Sequence, residues 1–281
     1  AASDVYKRQH ETVVTLEGVI PLNERLSSIQ SHWNKTADSP WYQSLRTEEK
    51  LTALKSDPAS AFLPGVWEML NRLMPHIKGK QILLPSSGDN HAALAFALLG
   101  AHVTSADISE KQLFHAKEMA DALKLSIRFV CDDTTHLSRL ESDSFDLVYT
   151  SNGTLSWIDD PFSMYKNIHR VLKTGGLSLM YDVHPFTRPF TCEAWKQPYI
   201  QKPYAETLPH CHWRMQDLVN AMAAAGLTIA EMAELSSQSP AFWFTFDELS
   251  AQPPECLEDI SDWNKTPMAA LPVWLCIAAR K

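Results

Sequence analysis

Glycine is scarce in this sequence, with nine in 281 residues, half the usual ~7%. That excludes collagen-like, Gly-rich linker and repeat architectures, and any nucleotide-binding loop must be built with few glycines. Basic charge is also short. Lys and Arg number 25 against 33 Asp and Glu, a net charge of −8, which argues against a surface built to grip DNA or RNA. No run of 18 apolar residues occurs, so no transmembrane helix is expected. Residues 1–9 contain no hydrophobic stretch of the signal-peptide kind. The five cysteines, Cys131, Cys192, Cys211, Cys256 and Cys276, form no C-x-x-C pair, so the expectation is reduced thiols, no metal site and a cytoplasmic location. Hydrophobic residues make up 45%, which is enough for a packed core.

The middle of the chain alternates short apolar runs with helical patterns. Strands are predicted at 81–85, 102–106, 126–130, 145–149 and 177–183. Helices are predicted at 91–99, 109–123 and 161–172, with Gly100 and Gly175-Gly176 as terminators. Such alternation predicts an α/β fold with a Rossmann-like, doubly wound, mostly parallel sheet. A further helix at 215–225 and strands at 227–235 and 272–279 bring the sheet to seven strands. Residues 1–75 read as an N-terminal helical lid and 76–281 as the main domain. Two irregular cap inserts are expected at about 184–214 and 236–267.

In open α/β sheets, ligands bind beyond the carboxyl ends of the strands, and a helix N-terminus there offers free N–H groups. Ser86, Ser87 and Gly88 occupy that position after the first strand, either as a cofactor loop or as a plain turn. Asp107 ends the second strand, 19 residues after Gly88. There it either accepts ribose hydroxyls from a nucleoside cofactor or caps the next helix beside Ser109. Asp132 and Asp133 follow the third strand. They read either as acceptors for an adenine amino group or as a solvated loop pair.

At these residues the sequence resembles the class I S-adenosylmethionine-dependent methyltransferases, well over 80–183 and weakly beyond. Ile82-Leu83-Leu84-Pro85-Ser86-Ser87-Gly88 stands where that family has its glycine-rich motif. Asp107-Ile108-Ser109 matches the ribose-binding motif, and Cys131-Asp132-Asp133-Thr134 the adenine-side motif. Phe145 to Tyr149 matches the fourth strand, and Val171 to Gly176 the turn before the fifth. The family usually has an acidic residue where Leu84 stands and glycines where Ser86 and Asn90 stand. The resemblance implies an antiparallel last strand, S-adenosylmethionine as cofactor, and methyl transfer to a small-molecule nucleophile with neither nucleic acid nor membrane as partner. Its implied cofactor contacts are Ser86, Ser87, Gly88, Asp107, Ile108, Asp132, Asp133, Thr134 and Ser151.

On the acceptor side, Asn152 follows strand four and Tyr181 lies toward the end of strand five. His184 is a candidate general base, or else a hydrogen-bonded structural histidine. Trp33 and Tyr42 in the leading segment, with His212 and Trp213, are candidate pocket residues whose alternative role is packing. Two other readings stand beside the methyltransferase. One is a cofactor-binding relative without turnover, suggested by the missing glycines. The other is a nicotinamide-dependent oxidoreductase, which would need Gly-x-Gly-x-x-Gly where this chain has Ser86-x-Gly88-x-x-His91.

Overall fold

The computed structural model describes residues 22–190, 211–237 and 262–281, with Ile200, Tyr204 and Ala251. Most of both expected inserts, including His210 and the aromatic run 242–244, lies outside the described residues.

Seven strands form one sheet in the order β3-β2-β1-β4-β5-β7-β6. They are β1 (Gln81–Pro85), β2 (His102–Asp107), β3 (Ile127–Cys131), β4 (Phe145–Thr150), β5 (Leu172–Val183), β6 (Thr228–Leu235) and β7 (Trp274–Arg280). The first five run parallel, and β7 runs antiparallel to both β5 and β6. The strand order reverses between β1 and β4, so the switch point faces the loop after β1. β1 is an interior strand, and its apolar run Ile82 to Pro85 is buried on both faces, as a parallel strand between two helix layers must be.

Among the described residues, eight α-helices accompany the sheet. The leading segment gives α1 (Leu22–Thr36), α2 (Pro40–Leu45), α3 (Glu48–Ser56) and α4 (Pro64–Leu73). The crossovers are α5 (His91–Leu98), α6 (Glu110–Ala122), α7 (Pro161–Val171) and α8 (Met215–Ala224). In α7 the buried residues Met164, Tyr165, Ile168 and Val171 recur at helical spacing and make one apolar stripe. Burying each such side chain contributes about 1.5–3 kcal/mol.

Two apolar clusters sandwich the sheet. One joins Leu51, Leu54, Phe62, Val66 and Met69 to Ile82, Leu84, Phe96 and Tyr149. The other joins Met164, Ile168 and Leu218 to Leu83, Val148 and Ile277. The leading helices thus share a core with the sheet. The junction at α7 and β5 also departs from the expected helix end, turn and strand. Pairing already begins at Leu172, which lies opposite Phe145, and the register slips before Leu177 resumes it opposite Leu147. Gly175, at φ +76°, supplies the left-handed turn within that segment. Among the described residues, no helix is long and apolar enough to cross a membrane.

Candidate functional site

A cavity of about 470 Å³ opens at the carboxyl ends of β1, β2, β3 and β4. Its floor is the loop 86–90 with Asp107, Ile108, Asp133, Thr134 and Ser151. Its cover comes from the leading helices through Leu26, Ile29, Trp33, Trp41 and Tyr42. Asn152 and Trp157, on the loop after β4, close the side.

The loop is shaped by the chain itself, without the family's glycines. Ser86 takes φ +48° and Gly88 φ +51°. Ser86 Oγ lies 2.6 Å from Thr134 Oγ1, and the buried Ser87 Oγ lies 2.7 Å from Ser105 Oγ. These bonds hold a non-glycine residue in a backbone region that costs about 1–2 kcal/mol. Asn90 needs no special conformation: it has φ −63°, and its Oδ1 caps α5 by accepting from Ala92 N–H at 2.8 Å. Its Nδ2 donates to Ser151 Oγ at 2.9 Å, tying β1's loop to β4's.

Asp107 fills the capping role weighed for it from sequence and also holds the loop after β1. Oδ1 accepts the Ser109 N–H and Oδ2 the Gly88 N–H, each at 2.7 Å, so the carboxylate orders both the cofactor loop and the start of α6. Burial pushes its pKa up to about 6 against the lowering by those N–H groups, and nearby Asp89 adds to the rise. Each carboxylate oxygen keeps a second lone pair, and the residue lines the cavity. A ribose diol fits that donor–acceptor arithmetic. The buried Gln112 also lines the cavity, and its Oε1 has no hydrogen-bond partner among the described residues, which leaves an acceptor for a cofactor hydroxyl or amino group.

Several expected residues do not meet the cavity. Asp132 is turned into its own loop, where it accepts from the N–H groups of Asp133 and Arg139 and from Ser138 Oγ. Asp133 stays on the cavity wall, but its carboxylate also binds Thr135 and His136. His184 is buried, with Nδ1 accepting from Phe186 N–H at 3.1 Å and Nε2 2.8 Å from Glu234 Oε1. Both ring nitrogens are therefore taken, Nδ1 by the turn after β5 and Nε2 by Glu234 on β6, and His184 does not line the cavity, which argues against the expectation of a base there. Trp213 donates to Ile158 O and His212 is buried; neither lines the cavity. Tyr181 stands one layer back and donates its hydroxyl to Asn152 Oδ1 at 2.9 Å, so the Asn152 amide nitrogen is left for the cavity.

The structure adds residues that sequence reading passed over. Arg46 Nε lies 2.6 Å from Asp89 Oδ2, with both side chains largely buried. Burial raises the Asp89 pKa and Arg46 opposes the rise. The Arg46 guanidinium also sits 5.8 Å from the Tyr42 ring centre. His91 Nε2 donates to Leu45 O at 2.9 Å. On the other flank, Arg25 pairs with Asp159 at 3.2 Å, and Gln30 Nε2 donates to Ile108 O at 2.9 Å. Trp157 packs edge-on against Trp33 at 5.3 Å. Asp89 and His91 adjoin the loop motif, so adjacency was a usable signal. Nothing local marks Arg46, 43 residues away from Asp89.

Behind the acceptor-side loop, buried Asp182 accepts from Gly153, Leu155 and Val183 N–H groups. It also pairs with buried Arg188 at 3.3 Å. Arg188 Nη1 in turn donates to Ser156 Oγ at 2.7 Å.

Residues 84–180 match the family model described as a methyltransferase domain. The chain is 30% identical over 136 residues to the uncharacterized methyltransferase YbaJ of Bacillus subtilis, covering 47% of this chain and 53% of that protein. It is 34% identical over 100 residues to a ubiquinone biosynthesis O-methyltransferase of Coxiella burnetii, covering 36% and 42%. The chain thus spans about half the length of the curated relatives it matches. Among solved structures, a Mesorhizobium loti S-adenosylmethionine-dependent methyltransferase superposes with TM-score 0.56 at 22% identity, over 76% of this chain and 97% of that one. Family model and fold agree in direction: residues 84–180 are similar to a methyltransferase domain, and the chain shares the fold of the Mesorhizobium loti S-adenosylmethionine-dependent methyltransferase.

Proposed function

We propose that the protein transfers a methyl group from S-adenosylmethionine to a small-molecule nucleophile held between the leading helices and the strand ends. The observation that carries this reading is a single cavity framed by both halves of such a reaction. Asp107, Gly88 and Gln112 offer a diol- and amine-binding wall, and Trp33, Trp41, Tyr42 and Trp157 give an apolar aromatic wall. When bound, the cofactor supplies the electrophilic methyl. The chain's own residues bind and align it. Asp107 accepts the ribose hydroxyls, Ile108 and Thr134 flank the base, and Ser86 and Ser151 face the amino-acid portion. Asp133 keeps only spare acceptor capacity for the adenine amino group, and Asp132 is not among the proposed contacts. Trp33 and Trp157 exclude water from the reacting atoms, which raises the yield of in-line alignment. A cavity of about 470 Å³ suits a small acceptor better than a macromolecule.

The test is binding and turnover with the full chain. S-adenosylmethionine and S-adenosylhomocysteine are titrated by calorimetry, and product S-adenosylhomocysteine is followed by mass spectrometry against a panel of phenols, amines, thiols and carboxylic acids. Asp107→Ala is expected to weaken cofactor binding by about 10- to 100-fold, since a charged hydrogen-bond acceptor contributes about 1.5–3 kcal/mol. Unchanged affinity would remove the Asp107 assignment. Tight cofactor binding with no product from any acceptor would favour a binding protein without turnover, and binding of NAD alone would favour the oxidoreductase.

A further inference from the structure

One histidine lines the cavity, at a position with no place in the family motif. His91 is the first residue of α5 and lines the cavity. Its Nε2 faces Leu45 O at 2.9 Å. A carbonyl oxygen only accepts, so Nε2 must carry the hydrogen, and the tautomer is thereby fixed. Nδ1 is left with its lone pair, and no described residue bonds to it. The other two histidines weighed for this side, His184 and His212, are buried outside the cavity.

We propose that His91 is the general base of this site, with Nδ1 receiving the proton of the acceptor. This rests on the methyltransferase reading above. As the acceptor's lone pair forms its bond to the methyl carbon, the electron pair of the broken carbon–sulfur bond stays on sulfur, and the acceptor's O–H or N–H proton passes to Nδ1. One positive charge is lost at sulfur and one appears on the imidazole, so charge and protons balance. The imidazolium keeps Nε2–H on Leu45 O and later releases its new proton to water.

The surroundings suit the role. Burial lowers the His91 pKa below the ordinary histidine value, which keeps the ring neutral and basic near pH 7. Of the charged groups around it, Asp89 on the loop opposes that lowering and would stabilise the imidazolium. Lys50 on α3 adds to the lowering, and Arg46 on the segment after α2 holds Asp89. Asp57, beside the short helix that packs on α5, accepts from Ala59 N–H. Because Leu45 belongs to α2, the base is aligned only while the leading helices are docked.

The deciding experiment is histidine side-chain NMR on the full chain, titrated from acid to neutrality with and without S-adenosylhomocysteine, His91→Gln identifying the resonance. The expected ring is neutral with its hydrogen on Nε2, ionises below ~6.5, and shifts when S-adenosylhomocysteine binds. A hydrogen on Nδ1, a ring protonated at neutrality, or a resonance unmoved by S-adenosylhomocysteine that calorimetry shows to be bound overturns the proposal. Absence of any S-adenosylhomocysteine binding instead overturns the methyltransferase reading, and the base role with it. With any phenol probe the wild type methylates, His91→Gln is expected to lower kcat by at least about 100-fold and to leave S-adenosylmethionine affinity within about twofold. The variant's rate should recover as pH rises to the phenol's own ionisation, which loss of packing would not produce. An unchanged kcat and pH profile overturns the proposal as well.

Discussion

Arg46 and Asp89 form an ion pair of 2.6 Å between the leading helices and the cofactor loop, with the Asp89 side chain 2% and the Arg46 side chain 13% exposed. The pair fastens the cover of the cavity to its floor. Removing one partner of a buried pair leaves the other charge without compensation, which costs more than the pair contributes. Arg46→Met is expected to destabilise the protein by about 3 kcal/mol by denaturant titration. The double variant Arg46→Met/Asp89→Asn should recover most of that loss. A double variant no more stable than the single would show that Asp89 has another compensating charge.

Asp107 gives a pH dependence with a definite sign. Its folded-state pKa is pushed up to about 6, chiefly by burial, from the ordinary carboxylate value of 3.8. Its contribution is therefore fully present below the unfolded value, declines as pH rises, and is lost above about 6. The shift corresponds to ~3 kcal/mol. Asp107→Asn is expected to flatten this decline in the cofactor-free protein. Parallel stability–pH curves for the two proteins would show that Asp107 ionises at its ordinary value.

Ser86→Gly tests whether the missing glycines matter. Glycine would relieve the φ +48° backbone but delete the 2.6 Å contact with Thr134. Each effect is worth about 1 kcal/mol, with opposite sign. Stability within about 1 kcal/mol of wild type is expected, with cofactor affinity changed by less than about threefold. A large gain in affinity would mean that serine impairs the loop.

Asp182→Asn probes the loop behind the acceptor side. The substitution removes the Asp182 carboxylate from buried Arg188 and weakens three backbone anchors. A loss of about 3 kcal/mol is expected, with faster amide hydrogen exchange at Gly153 and Leu155. Unchanged exchange there would show that the loop is held by other contacts.

Leu84, Asp107 and Gly175 show how far local information reached. The apolar run ending at Pro85, the acid at the end of β2 and the glycine pair before the body of β5 have short-range signatures, so the sheet, its parallel strands and the position of the loop after β1 could be read from spacing. The antiparallel β7 came from family resemblance, since a lone apolar run carries no direction. Residues 1–75 read as a lid segment, yet α3 and α4 complete the apolar core on one face of the sheet.

The sequence by itself determined the alternation of strand and helix, and with it the switch point where Ser86, Gly88 and Asp107 meet, because these follow from periodicity and strand–loop–helix spacing. Only the tertiary structure decided which polar groups are free to act. Asp132 and His184 have suitable chemistry and chain positions, but Asp132 is taken up by its own loop and His184 by the turn after β5 and by Glu234 on β6. His91, by contrast, has its tautomer fixed by Leu45, a residue 46 positions away. Hydrogen-bond partners across such separations are set by packing, and sequence spacing carries no record of them.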